Sequence, residues 1–343
     1  MLSLNTEKTP SPPKRKRKLS LIILSGIALF LVISTVFTLL SPIPVSFLIR
    51  AAFNKKIAVA PDNFEEIKNN VKVIKNLNYS SEYKDNTADI YIPKNKSGSV
   101  PVVLWIHGGA FVGGNKEDIE IYATAFANEG IAVVCMNYRR APEVKYPVPA
   151  IQANDAYLWI KNISDEYSFD ISRFVIAGDS AGAHIAAQFT AIQSNPDYAD
   201  EMGFEQTVPL NTFKAVLLFC GPFDVGKMNE GNSSVINFFI ERAAWAYFGE
   251  KDWRKHFSSG ATISNHVTNK FPPAFITDGN SMSFESHGKE LADTLKNKGV
   301  LVETYFIPIE TETVTHEYQF IMNTSVGKES FYKTVNFLKK FTE

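Results

Sequence analysis

The pentapeptide Gly178-Asp179-Ser180-Ala181-Gly182 constrains the fold of this chain more than any other segment. Before it runs Arg173-Phe174-Val175-Ile176-Ala177, an apolar stretch rich in β-formers that reads as a buried strand. After it runs Ala183-His184-Ile185-Ala186-Ala187-Gln188-Phe189, small and helix-compatible. A bare G-x-S-x-G pattern is common by chance, but between a strand and a helix it has a mechanical meaning. The sharp turn lifts the serine hydroxyl above the sheet, and the flanking glycines let neighbouring backbone crowd against it. Ser180 is therefore the candidate nucleophile.

At 343 residues, 45% hydrophobic and 21% charged, the chain is long enough for one large α/β domain. Its net charge of −1 hides an asymmetry. Lys8, Lys14, Arg15, Lys16, Arg17 and Lys18 face only Glu7 in the first 18 residues, which read as a polar, basic tail. The body is correspondingly acidic, which argues against nucleic-acid binding. Leu19 to Leu40 then holds 22 residues without a charge. As a helix it would reach about 33 Å, enough for a bilayer core of roughly 30 Å. A cleavable signal peptide would have a shorter apolar region, about 7–15 residues, and a small-residue cleavage site, which Ser41-Pro42-Ile43-Pro44 is not. The segment reads as an uncleaved, single-pass signal anchor. The positive-inside rule then keeps Lys14–Lys18 cytoplasmic and puts the body on the extracytoplasmic side.

Residues 41–70 read as a linker or cap. The apolar patch from Pro42 to Phe53 fits either an interfacial helix or the start of a cap over the site. From residue 71 to 343 strands and helices alternate. Strands are expected at Val71–Leu77, Asp89–Ile92, Val102–His107, Ala132–Asn137, Phe174–Ala177, Ala215–Cys220, Ala274–Thr277 and Val302–Ile307. Helices are expected at Ile151–Lys161, Ala183–Gln193 and Gly288–Lys298. This alternation predicts a mostly parallel sheet with helices on both faces. Residues 225–271 interrupt it with Phe238, Phe239, Trp245, Tyr247, Phe248, Trp253 and Phe257, the signature of a lid or pocket wall. Cys135 and Cys220 lie in apolar runs and read as small core residues rather than a disulfide.

Three further features accompany the elbow. His107-Gly108-Gly109-Ala110-Phe111 follows the strand Val102-Val103-Leu104-Trp105-Ile106, and small residues there let backbone amides approach a developing oxyanion. Tyr138-Arg139-Arg140-Ala141-Pro142-Glu143 comes next, and His316 lies late in the chain within His-Glu-Tyr-Gln-Phe. In this order and spacing the motifs resemble the hormone-sensitive-lipase-like esterases of the α/β-hydrolase superfamily, from about Val100 to the C-terminus. The resemblance implies an α/β-hydrolase fold with an eight-stranded sheet and carboxylic-ester hydrolysis without metal or cofactor, and the aromatic stretch at 225–271 suggests a small-molecule ester with an apolar acyl or alcohol group. It further implies an oxyanion hole from the Gly109, Ala110 and Ala181 amides, a general base at His316, and a scaffolding role for Tyr138–Glu143.

The third triad member departs from that pattern. Related enzymes carry Asp-x-Leu beyond the seventh strand, whereas this chain reads Thr277-Asp278-Gly279-Asn280-Ser281-Met282-Ser283-Phe284-Glu285. Aligning Phe284 with the leucine leaves Met282 in the acid's place, and a shift by one leaves Ser281. Neither orients and stabilises an imidazolium as a carboxylate does. Glu285 is the first candidate acid, Asp278 the alternative and Asp224 the third, with a dyad or an inactive site remaining. His107 and His184 read as structural, and His256, His266 and His287 as polar surface; no metal-ligand spacing is present. The expected activity is that of a membrane-anchored serine carboxylesterase. A cell-surface deacetylase or peptidase with the same machinery, or a catalytically silent binding protein, are the alternatives.

Overall fold

A computed structural model describes residues 14–53, 58–229 and 233–343. The chain divides into two compact units, Met1–Pro44 and Val45–Glu343. Most of the basic tail read from the sequence lies outside the described residues. The first unit carries helix α1 (Lys14–Leu40), whose stretch Leu21–Leu40 is long and apolar enough to cross a membrane and has none of its residues buried.

The second unit opens with most of α2 (Ile43–Ala52) and α3 (Phe64–Asn69), so the body starts upstream of residue 71. Strands β1 (Val71–Asn78), β2 (Thr87–Pro93) and β3 (Val100–Ile106) follow, then α4 (Glu120–Asn128), β4 (Ala132–Met136), α5 (Val148–Asn162) and α6 (Ser164–Tyr167). Next come β5 (Phe169–Asp179), α7 (Ala181–Ser194), α8 (Pro196–Met202), β6 (Phe213–Phe219), α9 (Ser234–Phe248) and α10 (Trp253–Ala261). The chain finishes with β7 (Ala274–Asp278), α11 (Glu285–Asn297), β8 (Val302–Phe306) and α12 (Ser325–Thr342). All eight expected strands are present, most of them longer than the apolar run that betrayed them.

The strands form one sheet in the order β1-β2-β4-β3-β5-β6-β7-β8. β2 runs antiparallel to both neighbours and every later pairing is parallel. Alternation of side chains divides the core. Val102, Leu104 and Ile106 face one layer with α7, whereas Val103 and Trp105 face the other with α4 and α12. Trp105 anchors that second layer among Tyr122, Phe126, Phe219 and Phe320, at centroid separations of 5.4–6.2 Å. Cys135 and Cys220 are free and buried, with β3 and β5 between the strands that lead to them.

Parallel pairing aligns the carboxyl ends of four adjacent strands. Ile106 pairs with Gly178, Asp179 with Phe219, and Phe219 with Thr277. The loops after β3, β5, β6 and β7 therefore open on one edge, where open α/β sheets place their ligands.

One long-range clamp holds α2 to that edge. The Arg50 guanidinium makes a bidentate pair with Glu143 at 2.7 Å on both arms, and also donates to the carbonyls of Val112 (2.6 Å) and Ala141 (2.8 Å). The Tyr138–Glu143 segment thus serves the scaffolding part expected of it. Its Arg140 also donates to the Gly114 carbonyl at 2.9 Å, and Tyr138 stacks on His107. Arg50→Ala leaves Glu143 and two carbonyls without their donor. It is expected to cost about 1–3 kcal/mol, read as a fall in melting temperature of several degrees.

Candidate active site

β5 ends at Asp179 and α7 begins at Ala181, so one residue must reverse the chain. Ser180 does this at φ 51° and ψ −120°, a left-handed conformation uncommon for a residue with a side chain. The turn is possible because Gly182 carries no Cβ: one placed there would stand 2.0 Å from the Ile106 carbonyl oxygen. Ser180 is almost wholly buried, with its hydroxyl directed at the pocket.

His316 meets it from the loop after β8. Its Nε2 lies 2.9 Å from Ser180 Oγ, and its Nδ1 lies 2.7 Å from Ser283 Oγ. Ser283 in turn donates a short hydrogen bond to Asp278 Oδ1. The chain of contacts therefore runs Ser180, His316, Ser283, Asp278. The loops carrying Ser283 and His316 are tied together through Asn280, whose side chain donates to the Ile307 and Glu312 carbonyls and accepts from the Val314 amide.

Glu285, the first candidate acid from the sequence, does not join this chain. Its carboxylate pairs with Lys289 one helical turn away, at 2.9 Å. Asp224 is directed elsewhere too: it accepts from the Gly226 amide and the Thr262 hydroxyl, and its own amide faces His287. Ser283 has no counterpart among the sequence candidates because only a carboxylate in direct contact with the histidine was sought there, and Ser281 was set aside for lacking one. Asp278 is buried at the end of β7, and burial pushes its pKa up to about 7 against the hydrogen bonds from Ser283 and Cys220. Desolvation also lowers His316 below its ordinary value, though its ring keeps 28% of its exposure toward the pocket, which limits the shift.

Opposite Ser180, the loop after β3 runs through Gly109, Ala110 and Phe111, all at positive φ. Asp179 accepts from Trp105 Nε1 and from the Gly108 amide, both at 2.8 Å. That pins the loop against the elbow. The Gly109 and Ala110 amides donate to no acceptor among the described residues, and the Ala181 amide begins α7, where no intrahelical acceptor exists. The three form a set of donors beside Ser180.

Glu317, beside the histidine, has a part the sequence did not suggest. It is buried against Asp179 and stands 3.8 Å from His316 Nε2. Burial, and then repulsion from Asp179, push its pKa well above the usual carboxylate range, while Asp179 rises to about 7. Asp179 holds the two strong donors, so Glu317 carries the shared proton and makes no ion pair with the histidine. A signal existed in the sequence: an acid follows the candidate base, and another precedes the candidate nucleophile.

The remaining histidines lie apart from the reacting pair. His107 is buried on Tyr138, and its pKa falls to about 4 through burial. His184 is buried with its Nε2 2.9 Å from the Ala261 carbonyl. His256 pairs with Glu250 at the surface and His266 stacks on Tyr198. His287, expected at the surface, is instead buried, because it shares the inward stripe of α11 with Leu291, one turn on. The fold also gathers Cys220 Sγ, Asp278 and His316 within 4.8 Å of one another, donors of types that hold divalent cations. Spacing along the chain gave no sign of this cluster, in which Ser283 bridges the last two.

Over Ser180 opens an apolar pocket of about 560 Å³. Its walls come from Leu48, Ile49 and Phe53 on one side and from Ile236, Phe239 and Ile240 of α9 on another. Leu48 to Phe53 of the apolar patch and Ile236 to Ile240 within residues 225–271 therefore both contribute to the pocket lining. Most aromatics of that stretch pack inward, with Tyr247 stacked on Phe111 at 4.0 Å.

Sheet order, elbow and the loop after β3 together define an α/β hydrolase of the hormone-sensitive-lipase-like kind. Residues 88–286 match the BD-FAE family, and the chain belongs to it. Among curated relatives, a "Probable isoprenylcysteine alpha-carbonyl methylesterase" of Arabidopsis thaliana is 35% identical over 241 residues, covering 66% of this chain and 48% of its own length. An ethyl acetate hydrolase of Pseudomonas putida is 23% identical over 220 residues, covering 63% and 65%. The chain thus spans just under half of the first relative's length and just under two thirds of the second's. Among solved structures, an inhibited esterase B from Lactobacillus rhamnosis superposes with a TM-score of 0.70 at 20% identity, covering 83% of this chain and 89% of that one. A bacterial heroin esterase gives 0.66 at 23%, covering 80% and 86%. These share the fold.

The Asp179–Glu317 pair has a consequence for stability. Both carboxyls bind a proton more tightly folded than unfolded, so their contribution is full at low pH and declines as pH rises from about 4.5 through 7. Glu317→Gln keeps the hydrogen-bonding shape without the charge. Its melting temperature is expected to fall less steeply across that range than that of the unmodified chain.

Proposed function

We propose that this protein is a membrane-anchored serine hydrolase, a carboxylesterase acting on apolar esters. The observation that carries the reading is the unbroken line of contacts from Asp278 through Ser283 and His316 to Ser180, at the floor of an apolar pocket and beside unengaged amides. In this reading His316 takes the Ser180 proton as Oγ bonds to the acyl carbon. The Gly109, Ala110 and Ala181 amides hold the oxyanion. The carbon–alkoxy bond then breaks and the leaving oxygen takes the proton from His316. Water, deprotonated by the same imidazole, releases the acid and restores Ser180. Asp278 is the acid of the set, acting on His316 through Ser283.

The activities for which the relatives are named, hydrolysis of a methyl ester and of ethyl acetate, support an ester as substrate. The apolar span Leu21–Leu40 supports the anchor, and Lys14–Lys18 ahead of it support a cytoplasmic N-terminus with the body outside.

A fluorophosphonate probe tests the nucleophile: labelling is expected in the unmodified chain and lost in Ser180→Ala. An unlabelled native protein would sink the reading in favour of a silent binding protein. In an ester assay Asp278→Asn is expected to lower kcat/KM by roughly 10²- to 10⁴-fold and Ser283→Ala by roughly 10- to 100-fold, with Glu285→Gln within about twofold.

The pH profile follows from Asp278. Its carboxylate must be ionised to fix the Ser283 hydroxyl, and its pKa is raised to about 7. The acidic limb of kcat/KM is therefore expected near pH 7, with activity present above it and lost below. His316, whose own pKa is lowered, is already neutral there. A limb that stays at pH 7 in Asp278→Asn would assign it to another group.

A further inference from the structure

We infer that the mouth of the Ser180 pocket is a bilayer-docking surface, through which the site takes an ester dissolved in the membrane rather than one free in water. The inference rests on the anchored-esterase reading above and names its substrate class. Leu48, Phe239 and Met282 all line the pocket, yet they are 64, 39 and 63% exposed. Side chains that do both form a rim. Val235, 67% exposed, lies one helical turn before Phe239 on α9, and the exposed Phe238 packs edge-on against Phe239 at 5.7 Å. Elsewhere in the body large exposed apolar residues such as Val73 on β1, Leu158 on α5, and Leu210 and Leu301 in separate loops are far apart in the chain. Only scattered ones are ordinary on a soluble surface; a contiguous patch marks a surface that something covers.

What covers it follows from charge and connectivity. The pocket lining holds no Asp, Glu, Lys or Arg, so nothing there would recognise an ionic partner or lose its hydration against hydrocarbon. Eight Cα-to-Cα steps separate Leu40, the end of the apolar span, from Leu48 on the rim. Even fully extended that tether reaches no more than about 28 Å. A bilayer is thus always within range of the mouth, at an effective concentration no soluble partner matches. An ester with long hydrocarbon chains could pass from lipid to pocket without exposing them to water.

The full-length chain in phosphatidylcholine vesicles tests this. Native Cys135 and Cys220 are buried, so an environment-sensitive fluorophore can be placed at Val235→Cys alone, with Lys298→Cys as an exposed control. The label at 235 is expected to be quenched by spin-labelled lipid and at least threefold less open to iodide than the label at 298. Iodide access equal to the control would overturn the inference. So would protection without lipid quenching, which would mean that a second copy or another protein covers the rim. In the same vesicles, the double variant Val235→Ser, Phe238→Ser is expected to turn over a bilayer-dissolved long-chain ester at least fivefold more slowly. Its turnover of soluble p-nitrophenyl butyrate should be unchanged, and equal loss on both esters would also overturn the inference. If the unmodified chain did not cleave the butyrate at all, the esterase reading would fall, while the quenching arm would still report docking.

Discussion

The approach of α7 to the end of β3 governs most of what surrounds Ser180. A helix following a central strand normally needs a few residues of loop, and here it has one. That economy is paid in backbone strain at Ser180 and depends on Gly182 lying against the Ile106 carbonyl with no room for a methyl group. Because the helix starts so close to the strand, its first amides face the serine rather than solvent. Because β3 is held against it, the loop after Ile106 is brought to the same place. Asp179 completes the join by accepting from both Trp105 in the strand and Gly108 in the loop. Trp105 thereby links the aromatic layer beneath the sheet to the geometry above it.

Physical periodicity made the scaffold legible. Strands buried on nearly every residue, such as β3, β4 and β6, read as continuous runs of β-formers. The edge strands β1 and β8 are partly or largely exposed along most of their length, and their runs are interrupted by polar residues. The elbow and the histidine were legible because each had to be one residue type in one setting. The acid was not. Position relative to the seventh strand pointed to Glu285, but that residue starts α11 and can satisfy its charge with Lys289 in the same helix. Asp278 stops short of the histidine, and Ser283 closes the gap from a turn whose course is set by Asn280 and by Met282 at positive φ. A relay of two short side chains across a turn leaves no periodic trace in sequence. The burial of His287 was missed for a simpler reason: a polar residue on an otherwise apolar helical stripe was judged by its own chemistry rather than by its neighbours.

Carboxyl groups flank the reacting pair on both sides, and each side handles its charge differently. Burial raises Asp278, the nearby charge of Glu285 adds to it, and hydrogen bonds from Ser283, Cys220 and the Gly279 backbone partly restore its ionised form. Asp179 and Glu317 share one proton, which leaves a single negative charge beside the serine instead of two. A second full charge there would oppose formation of an oxyanion nearby. The pair therefore supplies structure to the loop after β3 at limited electrostatic cost to the proposed chemistry.

The Ser283 link has a further consequence. A carboxylate touching an imidazole can only accept, so it holds the ring in one tautomer, whereas a hydroxyl is a rotor that can accept or donate. While Asp278 is ionised it captures the Ser283 hydrogen, the serine lone pairs face His316, and Nε2 is left bare toward Ser180. Once Asp278 gains a proton that constraint disappears: the rotor can turn, donate to Nδ1 and move the imidazole hydrogen to Nε2. The site would then be idle with no backbone displacement, its on and off states differing by one proton and the torsion of one short side chain.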